Sequence, residues 1–303
     1  MATTTTTSSS STSTSIPEAT LHHVPKTISS PIYQILLELG NDNDIVPNKV
    51  EVIVKTFPDL KMDDHLSVNP MGTSPAYQDH ITQTNIWESG AVLSWILEKY
   101  DTHGKFHPRC SGGGGSSGDA TKQRLKFLNI CQFITATLYP YVSSFYLHTW
   151  KPKEEQDDEF LNKSFNVWRT QLAPIVVGWI DENDDKDGGE SPYLLGGTAL
   201  SAVDYLLCKP LNNINSLGML QEFPKLQRIF EEVSSKHSWN VAYNNVPLVE
   251  QEAGDDDKQP IIVAVTESEK NKRQKKDDDG NSATSYHDKE ERRTFVLVSS
   301  STK

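Results

Sequence analysis

Two short stretches carry residue types that could hold a ligand. The first is Asn69-Pro70-Met71-Gly72-Thr73-Ser74-Pro75, which ends in an X-Pro pair just ahead of a strand-like segment. An X-Pro bond reaches the cis form at a cost of only ~0.5–1 kcal/mol. A cis bond at Pro75 turns the N–H and C=O of Ser74 toward an extended peptide, which pairs there as an added strand. The alternative is an ordinary trans proline opening the strand. The second stretch is Glu88-Ser89, at the head of a helix-like run. A helix start exposes unpaired N–H groups and a partial positive charge. An α-carboxylate can dock on it, accepting the Ser89 amide and hydroxyl; the alternative is that both residues only cap the helix. Metal chemistry has less to build on. His22-His23 and His103-x-x-x-His107 lack a third ligand at a recognisable spacing, and Cys110, Cys131 and Cys208 form no CxxC pair. No metal is expected, and the cysteine usage fits a reducing compartment.

The elements that must position these residues follow from periodicity. Leu21–Val24 is a short strand candidate, and Val50–Thr56, alternating and β-branched, is a second. Between them Ile32, Ile35, Leu36 and Leu39 fall at helical spacing over 30–39, with Gly40 placed to stop the helix. Pro75–Gln78 and Thr82–Ile86 read as an antiparallel pair, and Glu88–Tyr100 as a second helix. The order βαβ–ββα is the thioredoxin-like arrangement, with a right-handed crossover in the βαβ unit. Beyond it the apolar spacing predicts helices over 121–150, 158–181, 201–211 and 224–235. The expected fold is α/β plus all-α: a thioredoxin-like N-terminal domain followed by an all-helical C-terminal bundle domain. The expected boundaries are a Ser/Thr-rich tail at 1–19, the sheet domain at 20–108, a Gly-rich linker at 109–119, the helical domain at 120–246 and a charged tail at 247–303. Residues 1–16 hold 13 Ser or Thr, and 247–303 hold 23 charged side chains. Neither composition can build a core.

Composition excludes several classes. No run of ~18 apolar residues exists, so no membrane span is expected. The net charge of −12 argues against general nucleic-acid binding. The N-terminal stretch lacks the basic and apolar regions of a secretory signal and the arginines of a transit peptide. A cytoplasmic location is expected, with Lys270–Lys276 as a weak basic import stretch flanked by acidic runs.

Three stretches together resemble the cytosolic glutathione transferase family over roughly residues 20–242. The loop Asn69–Pro75 resembles the family's Asn-Pro-apolar-Gly loop. Trp87-Glu88-Ser89-Gly90-Ala91-Val92 resembles its Glu-Ser helix start, continued by Leu97-Glu98-Lys99-Tyr100. Tyr193-Leu194-Leu195-Gly196, followed by Ser201-Ala202-Val203-Asp204, resembles its buried capping segment. The resemblance implies glutathione as co-substrate, held by Ser74, Pro75, Glu88 and Ser89, with Glu88 near the ligand's ammonium. It implies an apolar electrophile as second substrate and a homodimer. Ser201 and Asp204 form a capping box, which the resemblance makes structural.

Glutathione reacts as its thiolate, and a free thiol has a pKa of ~8.5, so the protein must stabilise the anion. Family members place Tyr, Ser or Cys after the first strand for this. Here Thr27 falls at the serine position, with Ser29 next and Ser30 competing. Ile28 occupies the cysteine slot, and Tyr33 lies inside the helix. The catalytic candidates are therefore Thr27 and Ser29. Among the aromatic residues of the helical part, Tyr139, Tyr141, Tyr146, Trp150 and Trp168 could face an electrophile, although such stripes are more often core. Lys61 and His65 follow the second strand, where family members contact the glycine end of glutathione, and read as solvated surface groups. The expected function is a glutathione transferase. The alternatives are a non-catalytic binding or assembly domain, and a glutathione-dependent isomerase or peroxidase.

Overall fold

In the computed structural model the described residues are 17–43, 49–109, 117–183 and 191–246. The expected Ser/Thr-rich and charged tails, the basic stretch 270–276 and most of the Gly-rich linker lie outside them. The chain opens with β1 (Ala19–His23), α1 (Ser29–Asn43) and β2 (Val50–Val54). The parallel pairing runs in register from Ala19↔Val50 to His23↔Val54, which makes the βαβ unit. A short helix α2 (Asp63–Val68) follows, then β3 (Ala76–Asp79), β4 (Thr84–Ile86) and α3 (Ser89–Tyr100). The four strands lie in the order β2-β1-β3-β4, with β3 antiparallel to both neighbours.

Alternation along β1 decides what each face does. Leu21 points into the core with Ile32, Ile35 and Leu36 of α1, and with Leu93 and Ile96 of α3, all essentially unexposed. The helix does not stop at Gly40 as its sequence suggests; α1 runs on to Asn43. An interior glycine costs about 1 kcal/mol against alanine, which the continuous apolar face from Ile32 to Leu39 offsets.

The remaining helices are α4 (Ser117–Phe133), α5 (Tyr139–His148), α6 (Asp158–Val167), α7 (Ala173–Asp181), α8 (Ala202–Ser216), α9 (Pro224–Ser234) and α10 (His237–Asn244). The expected single helices over 121–150 and 158–181 are each interrupted by a π turn, at Ile134–Leu138 and Trp168–Leu172. Each π turn lies just before a proline in the first turn of the next helix, Pro140 and Pro174. A proline has no N–H and its ring meets the carbonyl four residues back, so the widened turn absorbs the mismatch without ending the rod.

α8 is buried on nearly every side and carries the capping box. The Asp204 carboxylate accepts the Ser201 N–H at 2.8 Å, the Ser201 hydroxyl at 2.5 Å and the Leu194 N–H at 3.0 Å. The sheet half meets this bundle directly. Gln34 of α1 donates to the Val233 carbonyl of α9 and to Ser238 of α10, each at 3.2 Å. The Ala202 N–H donates to the Phe106 carbonyl at 2.8 Å. The architecture is a thioredoxin-like layer joined to an all-helical part.

Candidate functional site

Strand direction gathers the candidate residues at one sheet edge. Thr27 follows the C-terminal end of β1. Because β3 runs antiparallel, with His22 opposite Ala76, Ser74 and Pro75 enter at that same edge. β4 ends there too, with Ile86 opposite Tyr77, and delivers Glu88 and Ser89 to the start of α3.

The hydroxyls of the β1–α1 loop are not equivalent. Ser29 and Ser30 are fully buried, whereas Thr27 keeps partial exposure. The Thr27 hydroxyl donates to the Val24 carbonyl at 2.7 Å and lies 2.8 Å from Ser29 Oγ. Its oxygen accepts the Ser29 N–H at 3.3 Å. Ser29 Oγ also accepts the Val24 N–H at 3.1 Å and lies 2.8 Å from His23 Nδ1. Lys26 adopts a positive φ of 62° and turns the chain so that Thr27 follows on the outside of the loop. Of the two catalytic candidates, the structure puts Thr27 at the surface and Ser29 beneath it.

The loop before β3 is held from below. The Ser74–Pro75 peptide is cis. The Thr73 carbonyl accepts His65 Nε2–H at 2.9 Å and Asn69 Nδ2–H at 2.8 Å. Lys61 Nζ donates to the Gly72 carbonyl at 2.8 Å. Gly72 itself has φ +59°, and a Cβ there would sit 2.8 Å from the Leu60 carbonyl oxygen, so only glycine fits this turn. With its neighbours fixed in this way, Ser74 is left half-buried, and its N–H and C=O have no backbone partner among the described residues. Its hydroxyl reaches the His22 carbonyl at 3.4 Å.

The expectation that His65 is a solvated surface group is overturned. His65 is fully buried, with Nδ1 3.0 Å from Nδ1 of the equally interior His22. Burial, with the Lys55 ammonium and His65 adding to it, lowers the His22 pKa to about 4. Lys55 is itself paired with Asp64 at 2.7 Å. His22 and His23 point to opposite faces of β1, so they cannot chelate one ion together. Of the second pair weighed for metal, His103 and His107, His107 is buried against Asp101 at 2.7 Å.

At the head of α3, neither candidate is spent on capping. Glu88 is exposed and makes no side-chain cap hydrogen bond, and Ser89 is half-buried at the first helical position. The first-turn N–H groups therefore stay open for an anion. Of the aromatic candidates, Trp168 is core. Tyr146 and Trp150 stack edge to face at 5.2 Å near the end of α5. Tyr139 is the one brought to the hydroxyl loop, its phenol meeting the Ile28 backbone.

No protein-family model matches the chain. The glutathione S-transferase-like protein OpS6 of Beauveria bassiana is 29% identical over 159 residues, covering 51% of this chain and 65% of that relative. The similarly described protein gedE of Aspergillus terreus is 26% identical over 163 residues, covering 54% and 64%. The chain thus matches just under two thirds of the length of these curated relatives. Among solved structures, a glutathione transferase homolog from Lodderomyces elongisporus, crystallised with two glutathione molecules per subunit, superposes with a TM-score of 0.61. It is 18% identical, and the match covers 77% of this chain and all of that one. Ure2p in complex with glutathione superposes at 0.59, with 18% identity over 75% of this chain and 93% of that one. The transferase URE2P6 from Phanerochaete chrysosporium, with oxidised glutathione, superposes at 0.57 with 17% identity over 76% and 96%. In fold the chain is similar to glutathione transferases, and the curated relatives it matches are glutathione S-transferase-like proteins.

Proposed function

We propose that the protein conjugates the glutathione thiolate to an apolar electrophile. The observation that carries this reading is the Thr27 hydroxyl. It is the only one of the three loop hydroxyls with exposed surface, and it stands at the sheet edge where the Ser74 backbone and the first turn of α3 are also open. In this reading the cysteinyl backbone of glutathione pairs with Ser74 beside Pro75. The γ-glutamyl carboxylate docks on the Ser89 amide and hydroxyl, and Glu88 takes the ammonium.

The sulfur then lies over the β1–α1 loop. Thr27 turns its proton from the Val24 carbonyl to the sulfur, keeping the Ser29 N–H on its own oxygen. One hydrogen bond to a charged acceptor contributes about 1.5–3 kcal/mol. That lowers the thiol pKa by one to two units from ~8.5, into the range where the thiolate is abundant at neutral pH. The thiolate attacks the electrophilic carbon. A carbon–sulfur bond forms, and the leaving group departs with its electron pair or the adduct takes up a proton. In this reading Tyr139, its phenol against the Ile28 backbone, is the aromatic residue that meets the electrophile. The same reading makes the protein a cytoplasmic homodimer that binds neither nucleic acid nor membrane.

A second reading, a non-catalytic glutathione-binding or assembly domain, is favoured by one observation: the Thr27 hydroxyl already has two partners inside the loop. Retention on immobilised glutathione, followed by conjugation of glutathione to 1-chloro-2,4-dinitrobenzene, separates the two. The transferase reading expects binding and turnover, with turnover falling roughly tenfold or more in Thr27→Ala, the effect of losing one charge-assisted hydrogen bond. Binding without turnover would leave the assembly reading standing.

A further inference from the structure

His23 is a buried histidine that joins the two halves of the molecule. Its Nε2 lies 2.9 Å from the Ala242 carbonyl of α10, and its Nδ1 lies 2.8 Å from Ser29 Oγ. Only 1% of the residue is exposed. The Tyr33 ring lies 5.2 Å away, and no carboxylate or ammonium is recorded against it among the described residues.

The proton positions follow from the partners. A carbonyl can only accept, so Nε2 carries hydrogen. Burial keeps the ring neutral, with a pKa lowered to about 4, so Nδ1 is a lone pair. The donor facing that lone pair is the Ser29 hydroxyl. Ser29 therefore gives its single proton to His23, and its oxygen is left to accept from the Val24 N–H and from Thr27. The proton in the Thr27–Ser29 contact must then be the single Thr27 proton, shared between Ser29 Oγ and the Val24 carbonyl at 2.7 Å.

We propose that His23 is a positioning residue for the thiolate-stabilising hydroxyl: its fixed tautomer spends the Ser29 proton, leaves Thr27 as the loop's one donor with exposed surface, and ties that arrangement to α10. This rests on the function proposed above. Without the imidazole acceptor, the Ser29 proton has two places to go, the Val24 carbonyl at 3.0 Å and Thr27 Oγ1 at 2.8 Å. The loop then exchanges between two hydroxyl arrangements, and the Ala242 carbonyl loses its donor. Thr27 is no longer held in one place for the sulfur.

The test is the pKa of bound glutathione, read from thiolate ultraviolet absorbance in the full chain. His23→Phe keeps a ring and removes the acceptor. It is expected to raise the bound thiol pKa by about one unit while glutathione affinity changes less than threefold. His23→Asn, which returns an acceptor near the Nδ1 position, is expected to recover most of that shift. An unmoved thiol pKa in a folded, glutathione-binding His23→Phe overturns the proposal. Should that variant not fold, nitrogen-15 NMR of the wild-type ring decides. The neutral Nε2–H tautomer is expected, and an Nδ1–H tautomer or an imidazolium at pH 7 overturns the proposal. Failure of the wild type to bind glutathione would remove the parent reading, and the inference with it.

Discussion

Ser89 and Thr27 divide the work at the proposed site, and their variants should fail differently. Ser89 supplies the first amide and a hydroxyl of α3 and has no cap bond to give up. Ser89→Ala is expected to weaken glutathione binding roughly tenfold or more, the value of one hydrogen bond to a charged group, with the bound thiol pKa unchanged. Calorimetric titration of the variant with glutathione checks this, and an unchanged affinity would remove Ser89 from the site. The residue types at this edge were legible in the sequence because the motif spacing singles them out. The ranking among Thr27, Ser29 and Ser30 was not. It depends on which hydroxyl a loop buries, and that is set by the positive φ of Lys26 and by His23 beneath, neither of which has a sequence period. The two histidines are adjacent in the sequence, yet strand alternation separates them: His22 goes to His65, and His23 to Ser29.

At the scale of elements, the site depends on ends rather than middles. The C-terminal end of β1, the entry to β3 and the start of α3 converge because β3 is antiparallel. Periodicity finds the strands and long helices well, since each buries a continuous face. It misses α2, whose six residues span less than two turns and carry only His65 and Val68 inward. It also misses both π turns, where a proline is accommodated without breaking the helix. The capping box at Ser201 and Asp204 was readable from its spacing, and its carboxylate is completely buried. Asp204→Ala leaves the Ser201 hydroxyl and the Ser201 and Leu194 N–H groups without their acceptor inside the core. The expected loss is on the order of 3–5 kcal/mol, a large share of a domain's stability. Denaturant unfolding followed by circular dichroism measures it; a loss below ~1 kcal/mol would contradict the structural role given to this carboxylate.

Across the whole molecule, the interior histidines set a dependence of stability on pH. His22 and His23 are held neutral, each with its pKa lowered from 6.5 to about 4, in both cases chiefly by burial. Between these values the unfolded chain binds protons that the folded chain refuses. Stability from these groups is therefore complete above pH 6.5 and is lost progressively as the pH falls toward 4, at a limit of about 3 kcal/mol for each. Replacing His22 with Asn removes its share, so the stability of the variant relative to wild type should improve as the pH is lowered through this window. Denaturation midpoints at pH 7, 5.5 and 4 test this; a difference independent of pH would place the titration elsewhere. The α1 contacts to α9 and α10, through Gln34, join the sheet half to the helical half. Acid loosening of β1 is thus felt in both.

The proposed chemistry requires that a threonine hydroxyl stabilise a thiolate in this fold. Titrating the ultraviolet absorbance of glutathione bound to the wild type and to Thr27→Ala tests it most directly. A bound thiol pKa of about 7 or below in the wild type, returning toward ~8.5 in the variant, is the predicted result. Equal values near that of the free thiol in both proteins would contradict it.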